Sequence, residues 1–197
     1  MPHYISAILE CILTTVCLYY AFLLNRSGNG LQAYGYAVIA AAAGFGIFDM
    51  LGWDVVHPAH DFFTAISRFV GMLAIGLGMI AILMRYKVST WVSPLFFLIG
   101  SIVTLLLYRF QKPGFEVLCM AVGVVFLLSL LALVVRLFMT GKARAAAAGL
   151  MALLLFIFIA VFHQALPEGY MLRSVDIVHI CLTLAYPAVY YASIELA

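Results

Sequence analysis

The stretch FEVLCMAVGVVFLLSLLALVVRLFM, Phe115 to Met139, carries charge only at Glu116 and Arg136, close to its two ends. A helix needs roughly 20 mainly apolar residues to cross about 30 Å of hydrocarbon, and this stretch is long enough to do so. Six further segments read the same way. The predicted spans are 4–24, 31–53, 58–84, 90–109, 115–139, 143–166 and 170–196. The breaks between them have turn chemistry: NRSGNG at 25–30, QKPG at 111–114, TGK at 140–142 and PEG at 167–169. Pro58 suits the first turn of the third span, where its missing N–H costs nothing. Pro187 falls inside the seventh and predicts a kink.

Composition widens this reading to the whole chain. Of 197 residues, 67% are hydrophobic and 9% charged, whereas soluble domains carry roughly a quarter charged residues. Mean hydropathy is +1.18. A soluble chain of this length leaves roughly a third of its unfolded surface exposed and could not hide so much apolar area. The expected fold is therefore all-α, a polytopic seven-helix membrane bundle forming one domain over 1–197. The first apolar run lacks a basic leader and is too long for a signal-peptide core, so it reads as a retained span. A net charge of +2 without a basic run excludes nucleic acid as a partner. Cys11, Cys17, Cys119 and Cys181 lie in apolar runs without a CxxC pair, as packing residues do.

Basic residues set the expected orientation. Arg26, Arg85, Lys87, Arg136, Lys142 and Arg144 flank the first, third and fifth loops; Arg109, Lys112 and Arg173 flank the others. That excess places the N-terminus outside and the C-terminus in the cytoplasm of a bacterial inner membrane or another cellular membrane. Glu10, Asp49, Asp54, Asp61, Glu116, Glu168 and Asp176 then fall in the outer half. So do His3, His57, His60, His163 and His179. Acidic residues contribute little to orientation, so their clustering is a separate signal, and it points to an outward-facing polar pocket.

Several of these residues lie within the spans. An ionised group near mid-bilayer costs roughly 2.5–3.5 kcal/mol, so such groups face partners or a polar cavity. Glu10, Asp49, Arg68, His163, Asp176 and His179 are the expected pocket. Asp176 and His179, three apart, share a helix face that Thr183 continues, and Glu10 shares one with Thr14. Asp49 or Asp176 is the expected partner of Arg68. Asp176 and His179 are the candidates for catalysis; the other reading is an interhelical hydrogen bond worth about 0.6 kcal/mol. His57, His60 and His179 are the candidate metal ligands. Zinc held by three such ligands would activate a bound water for hydrolysis. The incomplete set predicts less than one tightly held zinc per chain.

The stretch SVDIVHICL at 174–182 resembles the last-helix signature of the seven-helix superfamily of progestin/adiponectin receptors and alkaline ceramidases, and SRFVG at 67–71 occupies the place of an acid-containing helix start. That resemblance implies two zinc-binding histidines four apart in the last helix, a third from an earlier helix, and lipid-amide hydrolysis or reception. His179 matches one of the pair; Val175 stands at the other, with Asp176 beside it. His57 or His60 would supply the early ligand, but Trp53 and Val56 stand where the preceding serine belongs. Arg68 replaces the expected acid.

Three functions fit. The first is a receptor, sensor or accessory subunit that binds a small molecule, a membrane lipid or other membrane subunits. The second is an intramembrane metal-dependent hydrolase of a lipid or amphiphile. The third is a small transporter of three, one and three helices. Phe48-Asp49 and Phe162-His163, each followed about a dozen residues later by an acid, give a faint repeat of the kind transporters carry.

Overall fold

The computed structural model describes residues 3–89, 91–162 and 174–197. These form eight α-helices: α1 (Tyr4–Arg26), α2 (Gly30–Met50), α3 (His57–Ile66), α4 (Met72–Leu83), α5 (Val92–Phe110), α6 (Lys112–Met139), α7 (Ala143–Phe162) and α8 (Ser174–Ile194). One wider helical turn, Ser67–Gly71, joins α3 to α4, so Asp54–Leu83 is a single rod. Seven rods are thus long and apolar enough to cross a membrane.

Local chemistry explains most of the boundaries. Gly52, at φ 87°, lets the chain turn back after α2, with the amides of Gly52 and Trp53 donating to the carbonyls of Asp49 and Phe48. Pro58 sits in the first turn of α3, as its chemistry predicts. The segment QKPG is different. Gln111 alone separates α5 from α6, and Pro113 lies in the first turn of α6 rather than in an open turn. Proline's fixed φ suits a helix start as well as a turn, and here the helix takes it. Pro187 lies within α8, which continues past it.

Six rods close into a ring: α1 packs on α2, α2 on α3 and α4, α4 on α6, α6 on α7, α7 on α8, and α8 back on α1. The seventh, α5, lies outside that ring against α2, α3 and α6. Only 17% of its apolar window is buried, against 61% for α2. Small residues permit the closest approaches. A Cβ on Gly35 would stand 2.7 Å from the Gly71 carbonyl oxygen and 2.6 Å from Ile75 Cγ1.

The ring is filled at mid-height by aromatics. The Tyr36 hydroxyl donates to the Tyr186 carbonyl at 2.8 Å, satisfying a fully buried polar group. Phe126, Phe156 and Tyr186 stack edge-to-face beside it. Leu13, Cys17, Ile75 and Met79 complete the plug. Among the described residues the acids other than Glu195, with His3, His57, His60 and His179, gather at one end of the bundle, which we call the polar end. The turns carrying Arg26, Arg85 and Lys142 form the opposite, basic end.

Candidate functional site at the polar end

The first two walls of the site are α1 and α8. Ser6 and Glu10, one turn apart, point inward and are 1% and 2% exposed. The two helices run side by side in the same direction, so contacts repeat down the seam. Ser6 Oγ donates to Asp176 Oδ1 at 2.6 Å, His179 Nε2 meets Glu10 Oε1 at 3.3 Å, and Tyr20 packs on Tyr190 farther down. Asp176 is buried like Ser6. Replacing Ser6 with alanine removes one hydrogen bond to a buried carboxylate. We expect Ser6→Ala to lower stability by about 1.5–3 kcal/mol, read from denaturant melts of the purified protein.

The other two walls are the end of α2 and the start of α3. His57 and His60 are three apart and so share a face. Their Nδ1 atoms lie 3.0 and 2.8 Å from the two oxygens of Asp49, one histidine on each. His57 Nε2 also faces Asp61 Oδ2 at 3.6 Å. With Nδ1 turned to the carboxylate, the Nε2 of His60 is directed to the opposite side.

Gly46 joins the two halves. Glu10 Oε1 and His60 Nε2 lie 2.6 and 3.2 Å from the point where a Cβ on Gly46 would stand. The missing side chain is what lets α1's carboxylate and α3's imidazole approach one another. A methyl group there must displace the ends of both side chains, while the backbones can stay in place. Gly46→Ala is therefore expected to cost about 1–3 kcal/mol, as overpacking does, and to perturb Glu10 more than it perturbs the fold. Infrared spectra of the carboxyl groups, compared with unchanged helix bands, test this.

The site thus holds Glu10, Asp49, Asp61 and Asp176 with His57, His60 and His179, and both Asp49 and Asp176 act electrostatically on Glu10. Exposure falls along it. The side chains of His57 and Asp61 are 59% and 50% exposed, those of Asp49 and His60 17% each, and that of Glu10 3%. Glu10 Oε2 is buried and has no hydrogen-bond partner among the described residues. Aromatic side chains flank the outer edge, with Phe45 stacked on Phe63 and Phe48 tilted against Trp53.

Of the residues expected in the pocket, Glu10, Asp49, Asp176 and His179 come together, and His163 lies outside the described residues. Arg68 does not join them. Its guanidinium takes Glu116 in a two-point contact, at 2.6 and 3.3 Å, on the face of the third rod that looks to α6. The reason is helical phase: eight residues past His60 is roughly 80° around the axis at 3.6 residues per turn, and the wider turn at 67–71 shifts it again. Among the expected metal ligands, His57 and His60 both turn to Asp49 and His179 turns to Glu10. Among the described residues no three His, Cys, Asp or Glu side chains are disposed to hold a metal ion. Sequence reasoning missed Ser6 and Gly46. Ser6 was visible as the residue one turn before Glu10 on the same face.

No curated protein and no solved structure matches the chain. The profile of a family of unknown function, DUF6962, matches residues 5–197, nearly the full length, and the chain belongs to that family.

Proposed function

We propose that this member of the DUF6962 family is an integral membrane protein of the sensor type, N-terminus outside, whose outward-half cluster binds and relays a proton. The carrying observation is the ordered fall in exposure along contacting acids and imidazoles, from His57 and Asp61 through Asp49 and His60 to Glu10. Chains of Asp, Glu and His inside membrane proteins serve as proton relays. The proton is also the ligand that such close packing admits.

The chemistry balances at each step. A surface proton taken by His57 passes to Asp49 as the shared hydrogen shifts. Rotation of the protonated Asp49 carboxyl carries the hydrogen from the His57 side to the His60 side, where His60 accepts it at Nδ1 and releases one from Nε2. The gap from there to Glu10 is short enough for one bridging water. Glu10 holds the proton against His179. A change in the charge of Glu10 alters its attraction for His179 on α8 and its repulsion of Asp176, so the α1–α8 seam is the element the proton biases.

The ring of six rods with α5 outside it favours a second reading, a small 3+1+3 transporter, in which the same relay would supply coupling protons. Hydrolysis has less support, because it needs a metal ligand that only residues outside the described ones would supply.

The test is pH-difference infrared spectroscopy on protein in lipid nanodiscs. The proposal expects a buried carboxylic acid C=O band that appears and disappears reversibly with pH. Spectra in which every carboxyl group titrates as it would in water would overturn it.

A further inference from the structure

Helix α8 is divided by its own proline. Pro187 has no amide hydrogen, so the carbonyl of Thr183, four residues earlier, has no ladder partner within the helix. A helix bends most readily at such a break. We infer that α8 is hinged there: with Glu10 as the proton site proposed above, a change in its charge swings residues 174–182, while the segment from Tyr186 onward stays fixed to α2.

The contacts on the polar-end half are titratable. Asp176 Oδ1 accepts the Ser6 hydroxyl at 2.6 Å and His179 Nε2 meets Glu10 Oε1 at 3.3 Å, both across the seam to α1. The titratable groups around Glu10 are Asp176 and His179 from α8, Asp49 from α2 and His60 from α3. Cys181 is buried on the same half of α8. Helix α7 brings only Arg144, at the basic end, and Glu116 of α6 is engaged by Arg68. His163, Glu168 and Arg173 lie outside the described residues.

The buried contacts on the other half are neutral. Gln32 and Tyr36, one turn apart on α2, share a face. Gln32 Nε2 donates to Ser193 Oγ at 3.1 Å, and the Tyr36 hydroxyl donates to the Tyr186 carbonyl at 2.8 Å. All four residues are buried, and none of these groups changes charge near neutral pH. At the helix end, Lys142 and Glu195 add an exposed pair.

Packing follows the same division. Six of the eight buried residues of α8 lie at or beyond Ala185. There α7 and α8 approach closely, and a Cβ on Gly149 would stand 3.3 Å from Ala192 Cβ. The Thr183–Pro187 break thus separates a half tied to α1 by contacts that respond to a proton from a half locked to α2 and α7 by contacts that do not. A charge change at Glu10 acts on the first half alone.

The test is double electron–electron resonance on full-length protein in nanodiscs, with Cys11, Cys17, Cys119 and Cys181 replaced. A spin label at Leu98, on the exposed side of α5, is paired with a second at Ile180 or at Tyr191, exposed positions on either side of the hinge. Between the pH values at which the infrared band shows Glu10 charged and neutral, the 98–180 distance should shift by about 1–2 Å, the size of helix movements in switching proteins, with 98–191 unchanged. Pro187→Ala restores the amide that Thr183 lacks and should at least halve that shift. Gln32→Ala/Tyr36→Phe frees the anchored half, so the label at 191 should now follow the one at 180. Equal shifts at 180 and 191 in the parent, no shift at 180 while the infrared band titrates, an undiminished shift in Pro187→Ala, or a label at 191 still fixed in Gln32→Ala/Tyr36→Phe each overturns the hinge. An infrared band that does not titrate sinks the proton reading instead, and Ser6→Ala/Glu10→Gln then decides the hinge without any proton. Displacement of the label at 180 with 191 in place supports it, and no displacement at 180 overturns it.

Discussion

Glu10→Gln removes a pH-dependent carboxylic acid band from the infrared difference spectrum and leaves the helical amide bands in place. Glutamine keeps the shape of the protonated acid and can still meet His179 across the α1–α8 seam, where Nε2 now lies 3.3 Å from Glu10 Oε1. What it cannot do is take up or release a proton in the working range. The companion variant is His60→Phe, which leaves the acid in place and cuts its connection to Asp49, 2.8 Å from His60 Nδ1. A positioned proton-transfer group contributes typically 10²–10⁴-fold to rate, so deuterium exchange at Glu10 should slow by about 100-fold at unchanged final occupancy. Equal exchange rates in wild type and His60→Phe would leave Glu10 a structural group and the relay without support.

Gly35→Val should be the most damaging single change in the described bundle. At most other glycines of the bundle a new side chain meets the movable end of another side chain. At Gly35 it meets main chain, with the Gly71 carbonyl oxygen 2.7 Å and the Ile75 amide nitrogen 3.2 Å from the added Cβ. The wider turn at Ser67–Gly71 is the partner surface, so α2 and the third rod must separate for valine to fit. Overpacking of this kind costs about 1–3 kcal/mol when side chains absorb it and more when backbones must part. The expected outcome is at least about 3 kcal/mol of lost stability with little folded protein recovered. Gly123→Val, on the outward face of α6 with no atom within 4 Å of the added Cβ, is the control and should behave as wild type.

The long apolar helices were legible because length and hydropathy are properties of the sequence alone. That is why 115–139 and the six segments around it recur as rods, with ends displaced by a few residues where Pro113 begins a helix. The partners of the buried charges were only half legible. Asp176 and His179 declared themselves by a three-residue spacing, whereas His57 and His60 stood out only as candidate metal ligands. Spacing fixes a face relative to its own helix axis but not the azimuth of that helix in the ring. Arg68 illustrates this: its depth in the span was read from the sequence, yet the wider turn and the helical phase carry it to Glu116. Gly46 carries no such signal. That it admits a carboxylate and an imidazole rather than a neighbouring backbone depends on which side chains the ring brings to it, and no local pattern records that.

Helices α1, α2, α3 and α8 bring Ser6, Glu10, Asp49, His60, Asp176 and His179 together while Arg68 stays apart. Thiol cross-linking in native membranes tests it most directly. In a background with Cys11, Cys17, Cys119 and Cys181 replaced, Ser6→Cys paired with Asp176→Cys should join rapidly through a short bifunctional reagent, because the parent side chains are 2.6 Å apart. Arg68→Cys paired with Asp176→Cys should not. Efficient joining of the second pair, or none of the first, would contradict the arrangement on which the relay rests.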